Sequence, residues 1–295
     1  MAESLTPEEL VAGLLRLLTV EQQGDDQFLG LRKPGGVGRV FGGQVIAQAL
    51  ASAQNTVDAD RAAHSLHAYF LRGGSEDHEI AFRVERDFDG GSFSNRRVVA
   101  SQQGTPILNL IASFQKRVDG FSHQDPMPET AGPEGLQRDI DIWKENLDRM
   151  DESLRILALR QSAIDLRPTN KLAWMGIEKG PPRLSVWFRT VAALPDDPRI
   201  HRAVLAYASD LALLATCGVP HGVNWTSGEM KSASLDHAVW FHEDFRADDW
   251  LLYDMDSPWA GHARGFNRGR IFTRDGRLVA EVAQEGMVRL VKQTG

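Results

Sequence analysis

Apolar and polar positions alternate most clearly over residues 79–86, where Ile80, Phe82 and Val84 share one face, the pattern of a strand with one side on a core. Comparable stretches occupy His67–Leu71, Ser94–Gln103 and Pro106–Lys116, with Asp89-Gly90-Gly91 and Gln103-Gly104 as turns between them. Ahead of them Gln44–Val57 reads as a helix rich in small residues. The order then recurs: a strand at Leu184–Val191, a helix at Arg199–Cys217, and strands at Leu235–Phe241, Trp250–Met255, Ala263–Thr273 and Arg277–Val291, with Asp275-Gly276 as a hairpin signal. Near the start, Thr6-Pro7-Glu8-Glu9 precedes Leu10, Val11, Leu14, Leu15, Leu17 and Leu18, a capping box that opens an amphipathic helix.

The two series can be laid on each other. Ser65-Leu66-His67-Ala68-Tyr69-Phe70 matches Ser234-Leu235-Asp236-His237-Ala238-Val239-Trp240-Phe241 if the later copy carries two extra residues. At a constant offset of 172, Asn95-Arg96 meets Asn267-Arg268, Gly104 meets Gly276 and Ile107 meets Val279. Between the copies, residues 119–170 are richer in Pro, Asp and Glu, with one polar helix candidate near Arg138–Leu159. The expected organisation is an α+β unit at 1–118, a connector with a helix at 119–170, and a second unit at 171–295. Each unit buries one long helix in the curve of an antiparallel sheet, and the two sheets join across a pseudo-two-fold.

Composition narrows the function. A length of 295 residues suits two units rather than one core. A net charge of -7 argues against nucleic acid as the main partner, which would need clustered Lys and Arg. The single cysteine, Cys217, excludes an internal disulfide and fits a reducing compartment. With no basic leader and no uninterrupted run of about 18 apolar residues, a soluble cytoplasmic protein without a membrane span is expected. The last residues, Lys292-Gln293-Thr294-Gly295, do not match a Ser-Lys-Leu peroxisomal address.

Within this frame Asp210 stands out, because on a helix its neighbours would be Ala203, Ala206, Tyr207, Leu213, Leu214 and Cys217. A carboxylate removed from water costs several kcal/mol unless partners compensate, and burial raises its pKa. The last strand poses the same puzzle: Gln284 is the lone amide on a face formed by Leu278, Ala280, Val282, Gly286 and Val288. Ser234 could bring a hydroxyl to the same place, although Ser232-Ser234-Asp236 and Ala233-Leu235-His237 are both acceptable inward faces. By the offset, Gln284 corresponds to Ala112, and the helix position of Asp210 falls near Gln44, so only the second copy holds the acid and the amide.

The blocks Arg39-Val40-Phe41-Gly42-Gly43-Gln44-Val45, His64 to Arg72, Ser92 to Val98, Ala112-Ser113-Phe114-Gln115, Leu235 to His242 and Gln284-Glu285-Gly286 resemble the acyl-coenzyme A thioesterases of the thioesterase II, or TesB-like, type. The resemblance spans nearly the whole chain. It implies a double hotdog, two helix-in-sheet units in tandem, with the first copy catalytically degenerate. It places the family's catalytic Asp, Ser or Thr, and Gln on Asp210, Ser234 and Gln284. The implied reaction is hydrolysis of acyl-coenzyme A to a fatty acid and coenzyme A by activated water, with no cofactor or metal, in a dimer or tetramer. Gly43, Arg96, Arg97 and Arg268 are the candidates for substrate contact, the arginines for coenzyme A phosphates.

Other motifs point elsewhere and fail. Gly36-Val37-Gly38-Arg39-Val40-Phe41 puts Phe41 where a dinucleotide fingerprint needs its third glycine, and Gly38 to Gln44 ends in glutamine where a phosphate loop needs lysine. No Gly-x-Ser-x-Gly elbow occurs, and Cys217 has no evident activating partner. Asp236 and His237, adjacent on a strand, point to opposite faces, so His237, like His64 and His67, reads as structural, with His64 or His237 the place to look should Asp210 prove dispensable. A hotdog hydratase or dehydratase and an acyl-coenzyme A sensor without turnover are the rival functions.

Overall fold

The computed structural model describes residues 5–33, 38–223 and 229–291. Gly36 and Val37 of the glycine-rich stretch, and the final Lys292 to Gly295, lie outside the described residues. The first half supplies strands β1 (Val20–Gly24), β2 (Gln27–Gly30), β3 (Arg61–Phe70), β4 (Ile80–Asp89), β5 (Phe93–Gln102) and β6 (Thr105–Lys116). The second supplies β7 (Ile164–Pro168), β8 (Arg183–Thr190), β9 (Met230–Ser234), β10 (Asp236–Phe241), β11 (Leu251–Gly261), β12 (Arg264–Thr273) and β13 (Leu278–Leu290). They form one sheet in the order β1-β2-β4-β5-β6-β3-β10-β13-β12-β11-β8-β7, with β9 also on β13. Every pairing is antiparallel. Read outward from the central β3·β10 pair, the order is the same in both directions, which is the expected pseudo-two-fold and the double hotdog.

Among the described residues four α-helices accompany the central pair. α1 (Pro7–Leu18) has the capping box: Glu9 N–H donates to Thr6 Oγ1 at 3.2 Å and Thr6 N–H to Glu9 Oε2 at 2.8 Å. Its buried Val11, Leu14, Leu17 and Leu18 lean on α2 (Gly42–Gln54), which is buried along nearly its whole length in the curve of the first half's sheet. The segment Arg138–Leu159 does not form one long helix. It breaks into α3 (Asp139–Lys144), two 3₁₀ turns (Leu147–Arg149 and Glu152–Leu154) and α4 (Arg155–Ala158), because Ile142, Trp143 and Met150 are too few buried apolar groups to hold a long polar helix in place. β7 pairs with β8, so the second half's sheet reaches into the stretch read as connector; α5 (Lys171–Trp174) follows it.

The second core helix, α6 (Pro198–Ala208), packs antiparallel against α2, with Gln54 near Arg199 at one end and Gly43 against Tyr207 at the other. It ends at Ala208 rather than Cys217, and after a turn the chain continues as a 3₁₀ stretch, Leu213–His221. Pro198–His221 is apolar and long enough to cross a membrane by length and composition, and 72 % of its most apolar window is buried inside the fold.

Candidate active site

Asp210 sits in the turn that ends α6, not within a continuing helix. The sequence from Leu211 to Ala215 favours helix, so the break is imposed from outside. Tyr253 on β11 donates its hydroxyl to Ser209 O at 3.0 Å, taking a carbonyl that a continuing helix would use, while Ser209 Oγ–H reaches back to Ala206 O at 3.0 Å. The turn aims the Asp210 carboxyl, only 6 % exposed, at the N-terminus of α2. Phe41, the residue capping α2, makes no side-chain cap, and the Gly43 N–H donates to Asp210 instead. A residue from the second half thus caps a helix of the first. This approach requires the two glycines: a Cβ on Gly42 would lie 2.7 Å from Asp210 Oδ2, and one on Gly43 would lie 2.5 Å from Tyr207 O.

Ser234 and Gln284 come from the neighbouring strands. β9 pairs Ser234 with Gly286, whereas β10 pairs Ala238 with Ala283, so the register slips by one residue at Leu235. This bulge resolves the two competing alternations, because it turns both Ser234 and His237 to the inner face that carries Gln284. Asp236 stabilises the irregularity by accepting the Glu285 N–H at 2.7 Å; it is a structural staple, not half of a dyad. Burial raises its pKa, opposed by that hydrogen bond.

The Gln284 amide is the hub. Its Nε2 lies 2.7 Å from Asp210 Oδ1, 3.0 Å from Ser234 Oγ and 3.1 Å from His237 Nδ1. Ser234 also hydrogen-bonds the Asp210 carboxylate. Burial pushes the Asp210 pKa up to about 6, and the hydrogen bonds from Gln284, Gly43 N–H and Ser234 hold it from rising further. His237 is fully buried, which pushes its pKa down to about 3, so the ring is neutral. It stands 3.9 Å from Asp210, beyond hydrogen-bonding distance. Ser209 Oγ is 2.8 Å from its Nε2. Ser209 and Tyr253 have no signal in the sequence, and His237 reads there as structural: without the bulge, alternation gives no decision on which way His237 faces.

The structure brings Gly43, Asp210, Ser234 and Gln284 together and leaves the three arginines elsewhere. Arg96 is 1 % exposed and committed inside the first half, to Thr56 O and Oγ1 beyond the end of α2 and to Asp89 at 2.8 Å. A cation suits the carbonyl end of a helix, and these donors are not offered to a phosphate. Arg268 pairs across β12 and β13 with Ala283, whereas Asn267 pairs with Gln284, so Arg268 faces outward, bonded to Asp256 at 2.6 Å. Arg97 likewise shares the outer face with Ile111 and meets Asp87 at 3.3 Å. The offset that aligned Arg96 with Arg268 is one residue out in space: the inward counterpart of Arg96 is Asn267. His64 sits at the matching irregularity of β3, bonded to Ser113 Oγ at 2.8 Å.

The same registers identify what the first half holds at each site position. Leu66 faces Ala112 across β3 and β6, the places of His237 and Gln284, and Ala63 precedes the β3 irregularity as Ser234 precedes the later one. Gln54 meets the second residue of α6, Arg199, as Asp210 meets the second residue of α2. Gln54, not Gln44, is therefore the counterpart of the acid; Gln44 Nε2 instead donates to Leu31 O at 2.9 Å. Acid, hydroxyl, amide and imidazole in one half become Gln, Ala, Ala and Leu in the other.

A sheet curled round paired helices, with one polar cluster at a helix end, defines a double-hotdog protein with its candidate site in the second half. The chain belongs to the acyl-CoA thioesterase family. Residues 161–287 match the family described as acyl-CoA thioesterase, and residues 32–115 match the acyl-CoA thioesterase N-terminal domain. The chain is 37 % identical to human acyl-coenzyme A thioesterase 8, over 94 % of this chain and 89 % of that protein. It is 34 % identical to acyl-CoA thioesterase 2 of Haemophilus influenzae, over 95 % of this chain and 98 % of that protein. The crystal structure of acyl-CoA thioesterase II TesB2 from Mycobacterium marinum superposes with a TM-score of 0.78 at 39 % identity, covering 96 % of this chain and 99 % of that one.

Proposed function

We propose that this protein hydrolyses acyl-coenzyme A thioesters to a free acid and coenzyme A, with Asp210 as general base. The observation that carries this reading is the nearly dry carboxylate, pKa about 6, held by Gln284, Ser234 and the Gly43 N–H in one pocket. Ser234 and Gln284 hold a water beside Asp210, which takes its proton as the oxygen attacks the thioester carbonyl. The positive end of α2 opposes the negative charge developing on the carbonyl oxygen. The C–S bond then breaks, and the proton on Asp210 leaves with the coenzyme A thiolate. A cavity of about 470 Å³ beside the C-terminal part of β13, lined by Cys217, Met230 and Val288 together with Lys179, Arg264 and Arg289, suits the pantetheine arm and its phosphates.

In this reading residues 1–118 are the degenerate unit and 171–295 the catalytic unit, which also takes in β7 from the end of the 119–170 connector, and the chain assembles as a dimer or tetramer, which light scattering checks. The 3.9 Å separation of Asp210 and His237 gives no support to the Asp-His pair of a hydratase. Incubation with saturated acyl-coenzyme A should release free thiol in step with free acid. Binding without thiol release would identify a sensor, and a 3-hydroxyacyl product from an enoyl thioester a hydratase.

A further inference from the structure

The hydrogen-bond hub leaves one question of orientation. An amide can turn over, and Gln284 Nε2 has two hydrogens for three neighbours: Asp210, Ser234 and His237. Turned the other way, its carbonyl oxygen would face an ionised carboxylate at 2.7 Å. Building on the reaction proposed above, we propose that His237, backed by Ser209 and Tyr253, is a positioning residue that locks the Gln284 amide, with its NH₂ toward Asp210 and its Oε1 open to the attacking water.

The proton chain has one consistent solution. With Ser209 Oγ–H donating to Ala206 O at 3.0 Å, the serine oxygen is left to accept from His237 Nε2–H across the contact of 2.8 Å. His237 Nδ1 is then a bare lone pair, and at 3.1 Å it can only accept from Gln284 Nε2. Tyr253, bonded to Ser209 O at 3.0 Å, pins the serine that fixes the tautomer. Gln284 Oε1 is buried and accepts no hydrogen bond among the described residues, which leaves it free to receive a hydrogen of the water.

The first half supplies an internal control. Leu66 stands where His237 does, and Ala53 precedes Gln54 as Ser209 precedes Asp210. Phe82 faces Ala100 on β5 as Tyr253 faces Ile271 on β12. Leu66 and Phe82 are as buried as their counterparts. The fold therefore needs only apolar groups at these places, and the imidazole and two hydroxyls occur in the half that has the amide to orient.

Leu and Asn are close in size, and only Asn keeps an acceptor near the place of Nδ1. His237→Leu should lower kcat by about 10–100-fold with KM changed by less than about threefold, and His237→Asn should recover most of the loss. The acid limb of the His237→Leu pH profile should move to higher pH, because a loosened Gln284 no longer helps hold Asp210 ionised. In a Gln284→Ala background, His237→Leu should change kcat by less than about twofold. A wild-type kcat in His237→Leu, equal losses in the Leu and Asn variants, or independent losses in the double variant would each overturn the assignment. Should His237→Leu fail to fold, Ser209→Ala frees the ring to change tautomer and should lower kcat at unchanged KM; a wild-type kcat there contradicts the proposal. If Gln284→Ala alone left kcat intact, the Asp-Ser-Gln reading would itself fall.

Discussion

Asp210, the proposed base, is held at a cost to the fold. Its pKa, raised from 3.8 to about 6 by burial, means that the folded state resists ionisation more than the unfolded chain does. The sign follows from linkage: the unfolded chain releases this proton first, so stability is full below about pH 4 and falls as pH rises through about 6. Asp210→Asn should escape that loss and be more stable than wild type by about 1–3 kcal/mol at pH 7–8, with the gain shrinking below pH 6 and gone near pH 4. Chemical denaturation at several pH values measures this, and a gain that grew on acidification would contradict it. In the proposed reaction Ser234 and Gln284 orient a water rather than accept its proton. Ser234→Ala and Gln284→Ala should each reduce kcat less than Asp210→Asn does, in parallel assays on one acyl-coenzyme A; the reverse order would exchange the roles.

Among the elements, the start of α2 and the bulge between β9 and β10 decide whether those side chains meet. Gly43→Ala would bring a methyl group to 2.5 Å from Tyr207 O, a backbone atom that cannot swing aside. It should cost about 1–3 kcal/mol and also depress kcat, since α2 must shift away from Asp210. Thermal melting and turnover check both; a normal melting temperature would show that the helices are packed less tightly. These two elements also mark where the sequence stops being informative. Asp210 and Gln284 were legible because each is a lone polar group in an apolar pattern, and Ser234 came with the family resemblance. The end of α6 was not legible: Leu211 to Ala215 favours helix, and the break is set by Tyr253, a residue on another strand. His237 was hidden because the one-residue slip at Leu235 inverts the alternation from which its face would be read. Arg96 was misassigned for the same reason, since an offset one residue out exchanges the two faces of a sheet.

At the scale of the whole molecule, the tandem arrangement lets the halves diverge in chemistry while keeping one fold. The first half supplies the capped helix end, and the second supplies the acid, hydroxyl and amide. Gln54→Ala, at the counterpart of the acid, should leave kcat within about twofold of wild type, because no hydroxyl or amide accompanies it at Ala63 and Ala112. A loss on the scale of Asp210→Asn would mean that both halves do chemistry. The strand order, palindromic about β3·β10, was legible in outline from the repeated helix-then-strands series, whereas β1, β2 and β7 are short strands whose positions are set by pairing rather than by their own pattern. The account as a whole turns on Asp210 as the base, and the most direct measurement is turnover and binding of one acyl-coenzyme A by Asp210→Asn beside wild type. The expected result is a kcat lower by at least about 100-fold with binding largely unchanged. Turnover within about tenfold of wild type in the folded variant would contradict it.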